Sequence, residues 1–198
     1  MEKNILVTGG AGYIGSHITE LLLKKKYNVF VVDNLSTGYK KLIHKKVKFY
    51  KTDIKNINKI KKIIAKYKIT SIIHLAASLS IGEGEKNPKK YYLNNVVGTK
   101  NLLDSCTSTS IKNFLFSSTC AVYKDNITKV SEKTKLFPKS VYGKTKLAGE
   151  KIIKLYCKKN KINYGILRFF NVAGASKSGK IGQIKSGDQL FKNLTIAM

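Results

Sequence analysis

Residues 7–15 read Val-Thr-Gly-Gly-Ala-Gly-Tyr-Ile-Gly, and this stretch decides the fold. Its glycines fit both GxGxxG and GxxGxxG. Such a turn can bend sharply after a strand and bring backbone N–H groups close to a diphosphate, and its last glycine lets the next helix pack closely on the sheet. Glycine-rich turns have other uses, so the meaning of this one depends on the segments around it.

Apolar strands and amphipathic helices alternate along the rest of the chain. Strands are predicted at 4–8, 29–33, 46–50, 71–75, 113–118 and 164–170, and helices at 13–25, 56–66, 141–158 and from Pro88 through Leu103. Buried strands separated by helices indicate a parallel sheet covered on both faces. With the glycine turn after the first strand, the pattern predicts an α/β fold built on a doubly wound parallel sheet.

The acidic residues that follow the strands suggest which dinucleotide binds. Asp33 ends the second predicted strand, 18 residues after Gly15. A carboxylate there can accept both hydroxyls of an adenine ribose and would repel a 2′-phosphate, which favours NAD over NADP. The alternative is a turn acid that caps the strand end together with Asn34. Asp53, followed by Ile54, could meet the adenine amino group or could cap the helix at 56–66.

A hydroxyl, a phenol and an ammonium form the candidate catalytic set. Tyr142 and Lys146 are four residues apart on a predicted helix, so their side chains share one face. A nearby ammonium would lower the pKa of the phenol and make it a usable base. Thr119 follows a strand whose carboxyl end is where ligands bind in doubly wound sheets, so it could contact a substrate hydroxyl beside Tyr142.

Seven motifs in order carry a family resemblance across essentially the whole chain. They are VTGGAGYIGSH (7–17), VVDN (31–34), HLAA (74–77), NNVVGT (94–99), FSSTCAVY (116–123), YGKTK (142–146) and LRFFNVAGA (167–175). The chain resembles the nucleotide-sugar epimerases of the extended short-chain dehydrogenase/reductase family. The resemblance implies a Rossmann-type NAD-binding domain at 1–171 and the incomplete beginning of a smaller substrate-binding lobe at 172–198.

The resemblance also implies roles for individual residues. Thr119, Tyr142 and Lys146 would be catalytic, Thr119, Tyr142 and Asn171 would contact the substrate, and no metal is expected. Tyr13 and Ile14 would contact the diphosphate, and Asn94 and Phe170 would lie near the nicotinamide. The full set implied for the cofactor is Gly9, Gly12, Tyr13, Ile14, Gly15, Asp33, Asn34, Asp53, Ile54, Leu75, Ala76, Ala77, Asn94, Tyr142, Lys146 and Phe170.

One difference within the family favours epimerisation. Related sugar 4,6-dehydratases carry an Asp-Glu pair after the threonine, whereas this chain has Cys120 and Ala121. Without that pair, elimination of water has no evident acid–base catalyst. The expected reaction is interconversion of UDP-glucose and UDP-galactose through a 4-keto intermediate with bound NAD. An epimerase of another UDP-sugar (N-acetylhexosamine or uronic acid) and an inactive NAD-binding fragment remain the alternatives. Some epimerases carry a lysine at the position of Leu79.

The charge and the cysteines bear on partners and location. The net charge is +27, yet Arg168 is the only arginine, and the lysines are spread over nearly every segment. We interpret this as a biased solvated surface, not a nucleic-acid footprint, because arginine is the usual residue for bidentate recognition. No apolar run approaches the roughly 18–20 residues of a membrane span. The expected partner is a UDP-sugar, with no nucleic acid or membrane. A homodimer is expected through helices at 88–105 and 142–158, in the cytoplasm, with Cys106, Cys120 and Cys157 reduced.

Overall fold

The structure, a computed structural model, describes residues 4–125 and 129–184. Its strands are β1 (Asn4–Thr8), β2 (Asn28–Asp33), β3 (Lys48–Lys51), β4 (Ser71–His74), β5 (Asn113–Thr119) and β6 (Asn163–Phe169). All pairings between them are parallel, in the order β3-β2-β1-β4-β5-β6. The order reverses between β1 and β4, and a ligand crevice opens at the carboxyl ends of the strands at such a point. The predicted doubly wound sheet is therefore confirmed.

The helices follow the prediction with two differences. They are α1 (Tyr13–Lys24), α2 (Ile57–Lys66), α3 (Ile81–Lys86), α4 (Pro88–Tyr91), α5 (Gly98–Asp104) and α6 (Val141–Lys159), with short 3₁₀ turns at Lys40–Leu42 and Cys120–Val122. The single helix predicted from Pro88 through Leu103 is wrong in detail, because a π-helical segment at 92–97 separates α4 from α5. Such wide turns often occur at functional sites.

The short helix α3 was not predicted, because two of its six residues are glycines, which are poor helix formers. The Ser80 side chain caps it by accepting from the backbone N–H of Glu83 at 3.2 Å. The apolar spacing from Leu190 to Met198 also predicts the start of a helix, but it lies outside the described residues, as does the rest of 185–198.

The central strands β1 and β2 are buried on both faces, as their continuous apolar runs predict, whereas the edge strands β3 and β6 are partly exposed. Leu6 of β1 belongs to the larger cluster, which joins the sheet to α2, α5 and α6. Its neighbours Ile5 and Val7 point the other way and pack with Leu22 and Leu23 near the end of α1. This alternation is the period-two pattern of a strand. Across the two described ranges, no helix has both the length and the apolar character needed to cross a bilayer.

Candidate cofactor and active site

The glycine turn is built at distances that only glycine permits. Gly9 has a φ of +72°, and a Cβ there would lie 2.7 Å from the backbone nitrogen of Ala76. A Cβ on Gly15 would lie against the Gly9 carbonyl oxygen and 2.7 Å from the Cα of Gly10. Gly12 is the N-cap of α1 and provides no side-chain cap. The first N–H groups of α1 are therefore available to an anion at the positive end of the helix dipole.

Asp33 is tied to this turn through its carboxylate. The backbone N–H of Ala11 donates to Oδ2 at 3.0 Å, and that of Leu35 donates to Oδ1 at 2.8 Å. Asp33 thus closes the turn and caps its own strand end, as the alternative interpretation proposed. Each carboxylate oxygen can accept a second hydrogen bond, so the predicted ribose contact remains sterically and chemically open.

Asp53 does not cap α2, and that alternative is wrong. The N-cap is Asn56, whose side chain accepts from the backbone N–H of Lys59 at 3.0 Å. The carboxylate of Asp53 instead accepts from the backbone N–H of Lys55 at 2.8 Å and from the Asn34 side chain at 3.0 Å. The Oδ1 atom of Asp53 closes a local turn by accepting from the backbone two residues further along the chain. Its Oδ2 atom orients the Asn34 side chain.

An open cleft runs along the carboxyl edge of the sheet. Nine predicted cofactor residues line it: Gly9, Gly12, Asp33, Asn34, Ile54, Leu75, Ala76, Ala77 and Asn94. The lining also includes residues that were not predicted: Val32, Ser36, Thr37, Gly38, Thr52 and Leu79. The backbone N–H of Tyr39 donates to Ala11 O at 2.9 Å, which holds the 36–38 loop against the glycine turn. The Ser-Thr-Gly composition of that loop could have indicated from the sequence that it lines the cleft.

The remaining predicted contacts lie outside the lining of this cleft. The Tyr13 hydroxyl donates to Gly174 O at 2.6 Å, which brings the segment after β6 to the start of α1. A diphosphate contact from Tyr13 or Ile14 would therefore come from the backbone. The predicted last strand stops one residue early, at Phe169, and Phe170 is 61% exposed. Asn171 is also exposed, so the structure does not bring these two residues to the cleft.

Thr119 and Tyr142 meet where β5 ends and α6 begins. Ser140 caps α6 by accepting from the backbone N–H of Gly143 at 3.0 Å. A Cβ on Gly143 would overlap Ala121 O, so the glycine lets the helix start pack on the turn after β5. Burial raises the pKa of Tyr142, and the hydrogen bond between its phenol and Thr119 acts in the opposite direction. The hydroxyl–phenol pair predicted from the sequence is therefore in place.

Lys146 is buried behind this pair, and it corrects one expectation. The side chain is 3% exposed, and its Nζ lies 4.3 Å from the centre of the Phe116 ring. Burial lowers the pKa of Lys146 to about 7, against an opposing effect of Glu150. The sequence predicted that Lys146 lowers the pKa of Tyr142, and this is wrong for the protein without a bound ligand, because burial raises that pKa. Burial sets the direction of the Tyr142 pKa, and Lys146, which lies over the Phe116 ring, is not among the groups that act on it.

Sequence reasoning missed a histidine network behind the glycine turn. His74 Nδ1 lies 2.7 Å from Thr8 Oγ1, and its Nε2 lies 2.9 Å from Thr99 Oγ1. Since Thr99 donates to Asn95 O at 2.6 Å, its oxygen accepts from Nε2–H, and Thr8 donates to Nδ1. Burial lowers the pKa of His74 to about 3, so the ring is neutral. The histidine of the HLAA motif is the sequence feature that could have indicated this network.

The Asn95 side chain extends this network towards the helix that carries Tyr142. Its Oδ1 accepts from the backbone N–H of Ser78 at 2.8 Å, and its Nδ2 donates to Thr145 Oγ1 at 3.1 Å. Thr145 donates in turn to Tyr142 O at 2.8 Å. The π-helical segment, which contains Asn95, thereby joins the cleft wall to α6.

A buried ion pair was also missed. The Arg168 guanidinium donates to both carboxylate oxygens of Glu150, at 3.0 and 2.8 Å, and Ser118 Oγ donates to the same carboxylate at 2.6 Å. The sequence features that could have indicated this pair are an acid one helical turn after Lys146 and a single arginine within the last predicted strand. The three cysteines are free, with Cys106 and Cys157 buried and Cys120 partly buried.

Comparisons with known proteins agree with this geometry. The chain is 43% identical over 182 residues to the UDP-glucose 4-epimerase of Lactobacillus helveticus, covering 90% of this chain and 54% of that protein. The crystal structure of UDP-glucose 4-epimerase from Brucella ovis in complex with NAD matches with a TM-score of 0.88 and 39% identity, over 92% of this chain and 56% of that one.

A third relative has its substrate in the crystal. The UDP-glucose 4-epimerase of Thermotoga maritima, solved with UDP-glucose, matches with a TM-score of 0.83 and 33% identity, over 90% of this chain and 60% of that one. The chain thus spans little more than half the length of these relatives. The profile of the NAD dependent epimerase/dehydratase family matches residues 5–187, from the glycine turn past Tyr142 and Lys146. The chain therefore belongs to the NAD dependent epimerase/dehydratase family.

Proposed function

We propose that this chain is the NAD-binding part of a nucleotide-sugar 4-epimerase that interconverts UDP-glucose and UDP-galactose. Residues 1–171 would form the NAD-binding domain, and 172–198 would begin the substrate-binding lobe. The observation that carries the proposal is that Tyr142, at the start of α6, lies beside the Thr119 hydroxyl at the carboxyl end of β5, close enough for Thr119 to act on its pKa. The relatives named above, which are UDP-glucose 4-epimerases, support the choice of substrate.

The donors and acceptors of the cleft fit NAD. The uncapped start of α1 offers backbone N–H groups for a diphosphate, and Asp33 offers two carboxylate oxygens for ribose hydroxyls. Lys146 is an ammonium without a hydrogen-bond partner among the residues that the structure describes, and it can donate to further hydroxyls. Bound NAD would accept the hydride from C4 of the sugar and return it to the opposite face.

Tyr142 is the proposed base for the sugar 4-hydroxyl. Its phenolate oxygen would take the proton during hydride transfer and give it back when the hydride returns. Thr119 already hydrogen-bonds to the phenol, so its hydroxyl can orient the substrate hydroxyl beside it. Burial alone favours the neutral phenol, so the phenolate needs positive charge nearby, and Lys146 is the ammonium available one helical turn away.

The turn after β5 argues against elimination of water. Cys120 and Ala121 begin a 3₁₀ turn in which Thr119 Oγ1 accepts from the backbone N–H of Ala121 at 3.2 Å. Neither residue carries a carboxyl group for proton transfer at C5 or C6 of a sugar. A reaction that needs only the 4-hydroxyl proton and a hydride is therefore the better match.

The test uses the 198-residue chain. NAD is titrated by calorimetry, and the chain with NAD is then given UDP-glucose while UDP-galactose is measured. We expect Tyr142→Phe to bind NAD but to lose at least about 100-fold in turnover. Tyr164→Phe, at a 45% exposed position on β6, is the matched control. Conversion of UDP-N-acetylglucosamine alone would favour the rival substrate, and NAD binding without any turnover would favour the inactive fragment.

The proposal includes a homodimer in the cytoplasm that binds no nucleic acid. Large apolar side chains are exposed on the helical segments expected to pair, including Leu155, which is 73% exposed, and Tyr92. Sedimentation of the parent and of Leu155→Glu tests the dimer, since a charge at a paired apolar surface should give monomers. Duplex DNA binding that survives physiological salt with a sequence preference would contradict the last part.

A further inference from the structure

The helix α6 packs on β5 in a register that places two charged side chains behind the proposed site. Phe116 and Ser118 are two residues apart on β5 and therefore face the same side. Lys146 lies over the Phe116 ring, and Glu150 accepts from Ser118 Oγ at 2.6 Å. A Cβ on Gly149 would lie 3.1 Å from the Phe116 ring, so this glycine permits the close approach.

Glu150 ties α6 to two strands at once. Its carboxylate is fully buried and accepts from both Ser118 on β5 and Arg168 on β6. Ser118 and Arg168 are partners in the register between these two strands. The Arg168 guanidinium also donates to the Tyr123 hydroxyl at 3.0 Å. A displacement of Glu150 would therefore move the strand end that carries Thr119 as well as the helix that carries Lys146.

Glu150 is also the carboxylate one helical turn after Lys146 on the same face of α6, and both side chains are buried. The titratable or charged groups around the ammonium are Glu150 and Tyr142 on α6, His74 on β4, and Arg168 on β6 beyond Glu150. On β5 it meets Phe116, which has no charge. Burial disfavours the ammonium, and Glu150 is the group that opposes this effect.

We propose that Glu150, held by Arg168, is a positioning residue for the reaction: it keeps Lys146 and Thr119 in register and keeps the buried ammonium charged. This inference rests on the proposed function, which gives Lys146 and Thr119 their roles in the reaction. A purely structural ion pair would hold the fold without affecting the protonation of Lys146. Buried pairs are weak indicators of stability, because desolvation of both ions offsets their attraction.

The test measures the protonation of Lys146 directly in the 198-residue chain. The ¹³Cε chemical shift of Lys146 across pH, assigned by its loss in Lys146→Met, gives the midpoint at which the amine gains its proton without any reagent having to reach it. In the parent the midpoint is expected near pH 7. In Glu150→Gln it should fall by about 1 pH unit. Asp104→Asn, which neutralises an exposed carboxylate paired with Lys100, is the matched control and should leave the midpoint unchanged.

A second variant covers the case in which Glu150→Gln fails to fold because Arg168 loses its partner. The double variant Glu150→Gln/Arg168→Met removes both charges, and replacement of a whole buried pair is often tolerated. The midpoint should fall here too. An unchanged midpoint in a variant with the parent circular dichroism overturns the role of Glu150. NAD titration of the parent separates the two proposals, because failure to bind NAD removes the proposed function whatever the titration of Lys146 shows.

Discussion

Replacing Gly15 with alanine should loosen the glycine turn and weaken NAD binding. The new Cβ would lie 2.7 Å from Gly10 Cα and against the Gly9 carbonyl oxygen. The turn cannot retreat, because Gly9 is itself close to the backbone of Ala76. Overpacking of this kind costs about 1–3 kcal/mol. Alanine regains roughly 0.5–1 kcal/mol in a helix, so the net loss should be about 1–2 kcal/mol.

The affinity should change by a comparable amount. If the same displacement moves the N–H groups at the start of α1 away from the diphosphate, NAD should bind about tenfold more weakly for each 1.4 kcal/mol. Urea unfolding followed by far-UV circular dichroism measures the stability, since the chain contains no tryptophan. Calorimetric titration with NAD measures the affinity.

Gly82→Ala is the control for this experiment. Gly82 also lies in a helix, α3, but a Cβ there would meet nothing within 4 Å. This variant should be as stable as the parent or more stable by up to about 1 kcal/mol, and NAD affinity should not change. Equal unfolding free energies for Gly15→Ala and Gly82→Ala would refute the reasoning from close approach.

Three further outcomes are expected. Thr119→Val should raise the pKa of Tyr142 further, because the hydrogen bond that opposes the effect of burial is lost. The titration midpoint of Tyr142 is measured by tyrosinate absorbance near 295 nm, after subtraction of the Tyr142→Phe signal. An unchanged or lower midpoint would contradict the contact. Burial holds the pKa of His74 at about 3, below its ordinary value of 6.5, so its contribution to stability is complete above pH 6.5 and is lost as the pH falls towards 3. The loss should be about 1.4 kcal/mol for each pH unit in that window, and His74→Gln should reduce this dependence in urea unfolding at several pH values; an identical pH dependence in both proteins would argue against the neutral buried ring. Burial raises the pKa of Cys106 to about 12 and that of Cys157 to about 11. Iodoacetamide at pH 8 should therefore modify these thiols in the native chain at least about tenfold more slowly than in urea. Equal rates would show that both thiols are accessible.

Local patterns were sufficient for the architecture. Period-two and period-3.6 apolar spacing found all six strands and placed α1, α2 and α6 to within two residues, because a buried face must repeat with the geometry of its element. The glycine turn and Asp33 could also be found from the sequence, since both are local features next to a strand end. The helix α3 could not be found in this way, because its two glycines are poor helix formers. Its limits are marked only by the Ser80 cap before it and by Pro88 after it.

Long-range contacts decided the rest of the site. The sequence placed Tyr142 and Lys146 on one helical face. Only the packing of α6 on β5 shows that Lys146 lies over Phe116 and that burial raises the pKa of Tyr142. Likewise, Glu150 and Arg168 are 18 residues apart and meet because β6 pairs beside β5.

By itself the sequence determined the doubly wound fold and the family, and it predicted the glycine turn as the diphosphate site and Thr119, Tyr142 and Lys146 as the catalytic set. These depend on residue types at short spacing, where chain geometry leaves few alternatives. Only the tertiary structure decided what surrounds each group, such as the burial that keeps His74 neutral between Thr8 and Thr99 and the buried carboxylate that acts on Lys146. The physical reason is that desolvation and charge depend on every element packed against a group, and those elements come from distant parts of the chain.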